Sequence, residues 1–238
     1  MANLLQQYGI KEVADVTMYQ INADNSYTPV LFLDTLKVST IEQTAEQTEA
    51  RGGKGNSPLI IWDYGKEITV TLEDALYSPQ SMAIMFGSLD RSTGEINVET
   101  ISSITKMQRI SNIDPDKVVL SGAKFYDSDM KTLTAEGTSI PSGAVFIEQT
   151  FATTDGKVLT INAETFPGTY RLVGDTYSRN RKTGKDEYFQ FEIPQAKMSS
   201  ENTITLEAEG DPSVFNMTMR VLRPENGEMM KLTQYSIG

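Results

Sequence analysis

At 238 residues, with 39% hydrophobic and 22% charged side chains, the chain has room for one large β domain or a core domain with an elaboration, and we favour the former. A formal net charge of −11 argues against tight nucleic-acid binding, which depends on basic phosphate-facing clusters. With neither cysteine nor histidine, one chain can form no disulfide, no thiolate nucleophile, no Cys/His zinc site and no imidazole-based triad. Carboxylate, lysine, tyrosine and hydroxyl chemistry survives, and no catalytic residue, cofactor or metal site is expected from the motifs below.

The chain starts without a basic region followed by an apolar stretch, and no run approaches the roughly 18 apolar residues of a membrane span, so synthesis and retention in the cytoplasm without a membrane partner are expected. Residues 1–12 read as a frayed terminus. A first strand is predicted at 15–21 (Val16, Met18, Tyr19) and a second at 30–38. Residues 39–58 are polar and lack a buried face, which predicts a long functional loop ending in a glycine hinge. An apolar strand at 59–62 follows, in which the single tryptophan, Trp62, is expected to be buried. After a turn at 63–65, Ile68, Val70 and Leu72 alternate with polar residues as one strand face. One helix is predicted next, with Ser78 as N-cap, Pro79 in its first turn, Gly87 as the left-handed stop, and Met82, Met85 and Phe86 on one side.

Residues 96–110 alternate weakly and predict one or two strands. Asn112 to Pro115 is a turn signal and 117–126 a strand. Asp155-Gly156, between apolar runs at 145–151 and 158–161, predicts a tight hairpin. Residues 170–178 and 187–193 form a longer hairpin with Phe189, Phe191 and Ile193 inward. Ile204, Leu206 and Ala208, then Phe215, Met217, Met219 and Val221, continue the two-residue period. So many short strands argue an all-β sandwich or barrel.

Three motifs fail on spacing. The Gly53-Lys54 pair has Thr48 and Gly55 where a phosphate loop needs a glycine and a hydroxyl residue, and it precedes a strand. Asp127-Ser128-Asp129 has Thr132 and Thr138 where a calcium loop needs glycine and glutamate, leaving a solvated turn. Glu73 and Asp74 are neighbours in a strand and point to opposite faces, so they cannot act as an acid–base pair. The sequon at Asn216 lies within a predicted strand and is not expected to be glycosylated.

Charge is segregated. Arg179, Arg181, Lys182 and Lys185 gather at a predicted hairpin tip, while Glu201, Glu207, Glu209 and Asp211 lie in a stretch with no basic residue. The pattern suits a contact between neighbouring subunits, and equally an ordinary exposed turn.

Residues 52–87, from the glycine-rich loop through the alternating strand to the lone helix, resemble the corresponding part of the tail-tube (major tail) proteins of long-tailed bacteriophages. The likeness continues through the hairpin at 168–197, with its Ile193-Pro194 strand end, and through 203–222 and 229–235 with the turn at Glu209-Gly210-Asp211-Pro212. Residues 88–142 fit it least and form a variable middle segment of one domain. The resemblance implies an all-β, two-sheet sandwich or barrel flanked by a helix near 79–86. It implies a structural virion protein, not an enzyme, assembled in the bacterial host cytoplasm into hexameric rings that stack as a hollow tube. Neighbouring sheets would join into an inner barrel whose acidic lumen passes DNA without binding it. The implied partners are further copies, a tape-measure protein, tail terminator and baseplate or tip proteins, and a sheath protein if the tail contracts. The polar loop would stack rings through Glu42, Glu46, Glu49, Arg51, Gly52, Gly53 and Lys54. The alternative function is a monomeric β-sandwich that binds carbohydrate or a cell surface.

Overall fold

The computed structural model describes residues 7–90, 96, 98–114, 118, 120–134, 139–206 and 213–236. Two compact units emerge, one from residues 1–97 with 160–238 and the other from 98–159. Both are built on antiparallel sheet, as the all-β reading predicts.

Among the described residues the first unit holds nine strands: β1 (Tyr8–Ile10), β2 (Asp15–Ile21), β3 (Tyr27–Leu33), β4 (Leu36–Gly52), β5 (Ser57–Asp74), β10 (Thr169–Asn180), β11 (Asp186–Met198), β12 (Phe215–Val221) and β13 (Lys231–Tyr235). Their order is β3-β2-β10-β11-β12-β5-β4, with β1 beside β10 and β13 beside β11. Strand β11 changes partner at Pro194. Residues 188–192 pair with β13 and residues 196–198 with β12. Proline lacks the N–H that a ladder needs and so marks the changeover, where the register against β10 also shifts.

The alternating positions fill one core. Val16 and Met18, Ile68, Val70 and Leu72, Leu172, Ile193, Met217 and Met219 are all buried together. Removing such side chains from water stabilises the fold by about 1.5–3 kcal/mol each. Phe191 and Ile193 point inward as predicted, with Phe189 half-buried.

Helix α1 (Pro79–Phe86) starts and stops where its signals lie. Ser78 and Ser81 form a reciprocal capping box, with the Ser81 N–H 3.0 Å from Ser78 Oγ and the Ser78 N–H 2.9 Å from Ser81 Oγ. Gly87 adopts φ 77°, and the Gly87 and Ser88 N–H groups reach back to the Ile84 and Ala83 carbonyls at 3.4 and 2.8 Å. Met85 enters the core and Phe86 packs against it, as expected; Ile84 joins them in the core, and Met82 is half-buried.

Three expectations in this unit are corrected. The supposed terminus contains β1, fixed to β10 by the pairs Tyr8↔Asn180 and Ile10↔Ser178. The predicted 30–38 strand is broken at Asp34-Thr35 into β3 and the start of β4. The predicted turn at 63–65 is a bulge inside β5: Glu46 pairs with Tyr64 and Thr44 with Glu67, so Gly65 and Lys66 oppose Ala45 alone. Gly65 takes φ 61°, the left-handed geometry that lets a strand absorb an extra residue.

The second unit contains β6 (Val98–Arg109), β7 (Lys124–Tyr126), β8 (Thr132–Leu133) and β9 (Phe146–Leu159), in the order β6-β9-β7-β8. A short 3₁₀ turn at Ile110–Asn112 follows β6. Asp155-Gly156 makes no hairpin, because β9 runs straight through it. Ile101 pairs with Gly156 and Ser103 with Ala152, so three residues bulge opposite Ser102. The long strand predicted at 117–126 shrinks to β7 among the described residues. Asp127 forms a side-chain turn between β7 and β8, accepting the N–H groups of Asp129 at 3.0 Å and Lys131 at 2.9 Å.

Candidate assembly surfaces

The segment predicted as a loop at 39–58 is β-strand over almost its whole length. Strand β4 pairs with β5 from Leu36↔Asp74 to Gly52↔Ser57, and Gly53 to Asn56 make the reversal with positive φ at Gly53, Gly55 and Asn56. Polar residues lacking a buried face suggest a loop only when a core must receive them. Here they form a ribbon that β12 supports only as far as Thr69. Between Glu42 and Glu67 nearly every side chain on both strands is exposed. Glu42, Glu46, Glu49 and Arg51 stand along β4, with Gly52 and Gly53 entering the reversal and Lys54 within it. Arg51 Nη2 lies 2.9 Å from the Glu49 carboxylate.

Trp62 is 51% exposed on this ribbon, against the expectation of burial, and Ile60, Ile61 and Tyr64 are exposed to a similar degree. The partner strand over 42–49 is polar apart from Ala45, so the strand pair gathers no core of its own. An apolar run paired with a polar one was the available sequence signal.

The second surface is the tip joining β10 to β11. Asn180 is buried there and organises the turn: its Oδ1 accepts the N–H groups of Lys182 at 2.9 Å and Thr183 at 3.2 Å, and its backbone N–H donates to the Lys185 carbonyl at 2.9 Å. Arg179 is held by Asp186 in a two-point ion pair. This contact raises the arginine above its ordinary pKa and lowers the carboxylate, through hydrogen bonding first. Arg181 hydrogen-bonds Gln7 at the start of the described chain. The side chains of Lys182 and Lys185 are exposed. Their proposed counterparts Glu207, Glu209 and Asp211 lie outside the described residues.

Beside the tip, Tyr177, Tyr188 and Tyr235 form a ladder of rings with centroids 5.2 Å apart at each step. Tyr235 donates to Asp175 at 2.9 Å, which raises its pKa. A cleft of about 360 Å³ opens between Lys11, Glu12, Tyr177 and the Arg179–Asp186 pair. No group of three or more metal-ligating side chains occurs among the described residues, and no helix there is long and apolar enough to cross a membrane. Asp74 is buried and Glu73 half-buried, on opposite faces of β5.

Comparison with known proteins gives two matches. The YomU/Tube protein family model matches residues 8–234. The tail tube protein of Bacillus phage SPR is 26% identical over 222 residues, covering 83% of this chain and 78% of its own length.

Proposed function

The chain belongs to the YomU/Tube protein family, and from that premise we propose that its copies form sixfold rings that stack into the hollow tube of a phage tail, through which DNA reaches the host cell. A structural tail-tube protein of the virion needs no catalytic group, and its chemistry is that of its contacts.

The observation that carries the proposal is the β4–β5 ribbon. A two-stranded ribbon exposed on both faces is marginal by itself in water and gains stability when a partner covers it. In a stacked tube that partner is the neighbouring ring, with Glu42, Glu46, Glu49, Arg51, Gly52, Gly53 and Lys54 at or near the contact. The outermost strands of the nine-stranded order, β3 and β4, supply edges for joining sheets around a ring, which would remove the hazard of free strand edges. Net acidity suits a lumen along which DNA slides without adhering. The partners in this proposal are a tape-measure protein inside the tube, terminator and baseplate or tip proteins at its ends, and a sheath if the tail contracts. Assembly takes place in the host cytoplasm.

Size-exclusion chromatography and negative-stain imaging of the purified chain test the proposal, and rings or tubes are expected as concentration rises or the tape-measure protein is added. A strictly monomeric species under all of these conditions would overturn it. The exposed Trp62 gives the second reading, a carbohydrate- or cell-surface-binding module, its one specific support. Protection of Trp62 by added glycan, and not by rising protein concentration, would favour that module.

A further inference from the structure

The segment joining β12 to β13 carries the chain's single Asn-Gly pair, Asn226-Gly227, and both residues are exposed. They close a turn in which the Gly227 N–H donates to the Pro224 carbonyl at 3.0 Å. Gly227 takes φ 75°, and a Cβ there would meet nothing closer than Arg223 Nε at 4.0 Å.

Glu228 holds the Asn226 side-chain amide at both ends. Oδ1 accepts the Glu228 N–H at 3.1 Å, and Nδ2 donates to the Glu228 carboxylate at 3.2 Å. The same carboxylate oxygen lies 3.0 Å from Lys231 Nζ. Two nitrogens therefore compete for the Asn226 Cγ: the Lys231 amine and the Gly227 backbone nitrogen. An amine attacks only when unprotonated, and Lys231 is held charged by its hydrogen bond to Glu228 and then by the Glu228 and Glu192 charges, which raise its pKa above the ordinary lysine value. The Gly227 nitrogen is tethered next to its target by the chain itself, so ring closure costs no translational freedom, and glycine puts no side chain in the way. The Glu228 N–H is already bound to the oxygen on which negative charge builds during the attack.

We infer that Asn226 is a site of spontaneous deamidation, at which the Gly227 backbone nitrogen displaces the side-chain amide as ammonia. The N–Cγ bond forms and the Cγ–Nδ2 bond breaks, the Gly227 nitrogen gives its proton to solvent, and the departing nitrogen takes one from solvent. Water then opens the cyclic imide at either carbonyl, leaving aspartate or isoaspartate, with one water consumed and one ammonia released. The chain gains a negative charge between Glu225 and Glu228, and the isoaspartyl form gains a main-chain methylene. The Leu222 N–H on the Gln195 carbonyl at 2.9 Å and the packing of Met229 and Met230 against the core pin the segment on both sides, which confines the change to the turn. Two other exposed asparagines precede a small residue, Asn25 before Ser26 and Asn56 before Ser57. In both the attacking nitrogen would carry a serine side chain, and the Ser26 N–H is engaged by the Asp24 carboxylate at 3.0 Å. The inference holds for the chain whatever it assembles into.

The full chain, incubated at mildly alkaline pH and followed by peptide mapping with electron-transfer fragmentation, provides the test. Asn226 is expected to convert first, several-fold faster than Asn25 or Asn56, to a mixture of aspartate and isoaspartate. Gly227→Ala is expected to slow the conversion several-fold, since a methyl group then crowds the nitrogen. Lys231→Met is expected to leave conversion in place, which separates the two nucleophiles with a variant outside the turn. Asn226 persisting while another asparagine converts, an unchanged rate in Gly227→Ala, loss of the conversion in Lys231→Met, or a branched peptide joining Lys231 to residue 226 would each overturn the inference.

Discussion

Arg179 and Asp186 face each other across the β10–β11 hairpin, with Nε 2.6 Å from one carboxylate oxygen and Nη2 2.7 Å from the other. One of the four basic residues at the tip is thus neutralised within its own chain. Among the described residues Lys182 and Lys185 form no ion pair, so they, with Arg181, carry the charge available to a neighbour.

The Asp186 carboxylate should titrate below the ordinary aspartate range, because the Arg179 hydrogen bonds favour its charged form. A lowered folded-state pKa means that the pairing is in place above the ordinary range and is lost as pH falls through the lowered value. Carbon-detected NMR titration of Arg179→Gln should show the Asp186 midpoint moving up towards the usual value, with Arg181→Gln leaving it in place. An unmoved midpoint in Arg179→Gln would mean that the pair does not persist in solution.

Reversing Arg181 and Lys182 to glutamate should slow assembly and alter its salt dependence, since subunits this acidic repel one another unless basic groups stand at their contacts. Monomer melting should stay within a few degrees of wild type, because neither side chain enters the core. Light-scattering kinetics at low and high salt provide the measurement, and wild-type kinetics at both would mark the tip as solvated only.

Replacing residues 46–64 with an Asn-Gly turn should leave the fold intact and stop elongation. The deleted residues are exposed on both strands, whereas the core positions of β5 begin at Ile68. Urea unfolding should match wild type to within about 0.5 kcal/mol, the range of surface changes away from packed features, and circular dichroism should lose only the strand signal of the deleted residues. Tubes formed by this shortened chain would remove the ribbon from the assembly mechanism.

Gly87→Ala should destabilise the chain by at least about 2 kcal/mol, combining left-handed backbone strain with a clash. A Cβ there would lie 2.4 Å from the Phe166 carbonyl carbon and 2.7 Å from the Pro167 nitrogen, both backbone atoms. Gly184→Ala shares the positive φ but meets nothing within 4 Å, so it should cost only about 1 kcal/mol. Equal shifts in urea midpoint would leave the clash without effect.

What could be read from sequence follows from what each signal depends on. The helix was legible residue by residue because Ser78, Pro79 and Gly87 act through local geometry. The core strands were legible because Val70 or Met217 on alternate positions records burial directly. Asp155-Gly156 and Tyr64-Gly65 misled for one shared reason: a glycine in a hairpin turn and a glycine in or beside a bulge look alike until the partner strand is known. The ribbon was missed as structure because periodicity reports a buried face, and its strands bury none within the chain. The charge at the β10–β11 tip was legible, but the pairing of Arg179 with Asp186, seven positions away, depended on the hairpin register.

Ser88 Oγ donates to the Thr160 carbonyl at 2.9 Å, which ties the chain just after α1 to the point where it re-enters the nine-stranded unit. A segment whose two ends are anchored side by side behaves as a cassette. The host sheet senses the closure between 88 and 160 and is indifferent to the length of what it encloses, because loop-closure entropy grows only logarithmically with the number of residues. An experimenter can use the same junction to insert a foreign domain into the chain.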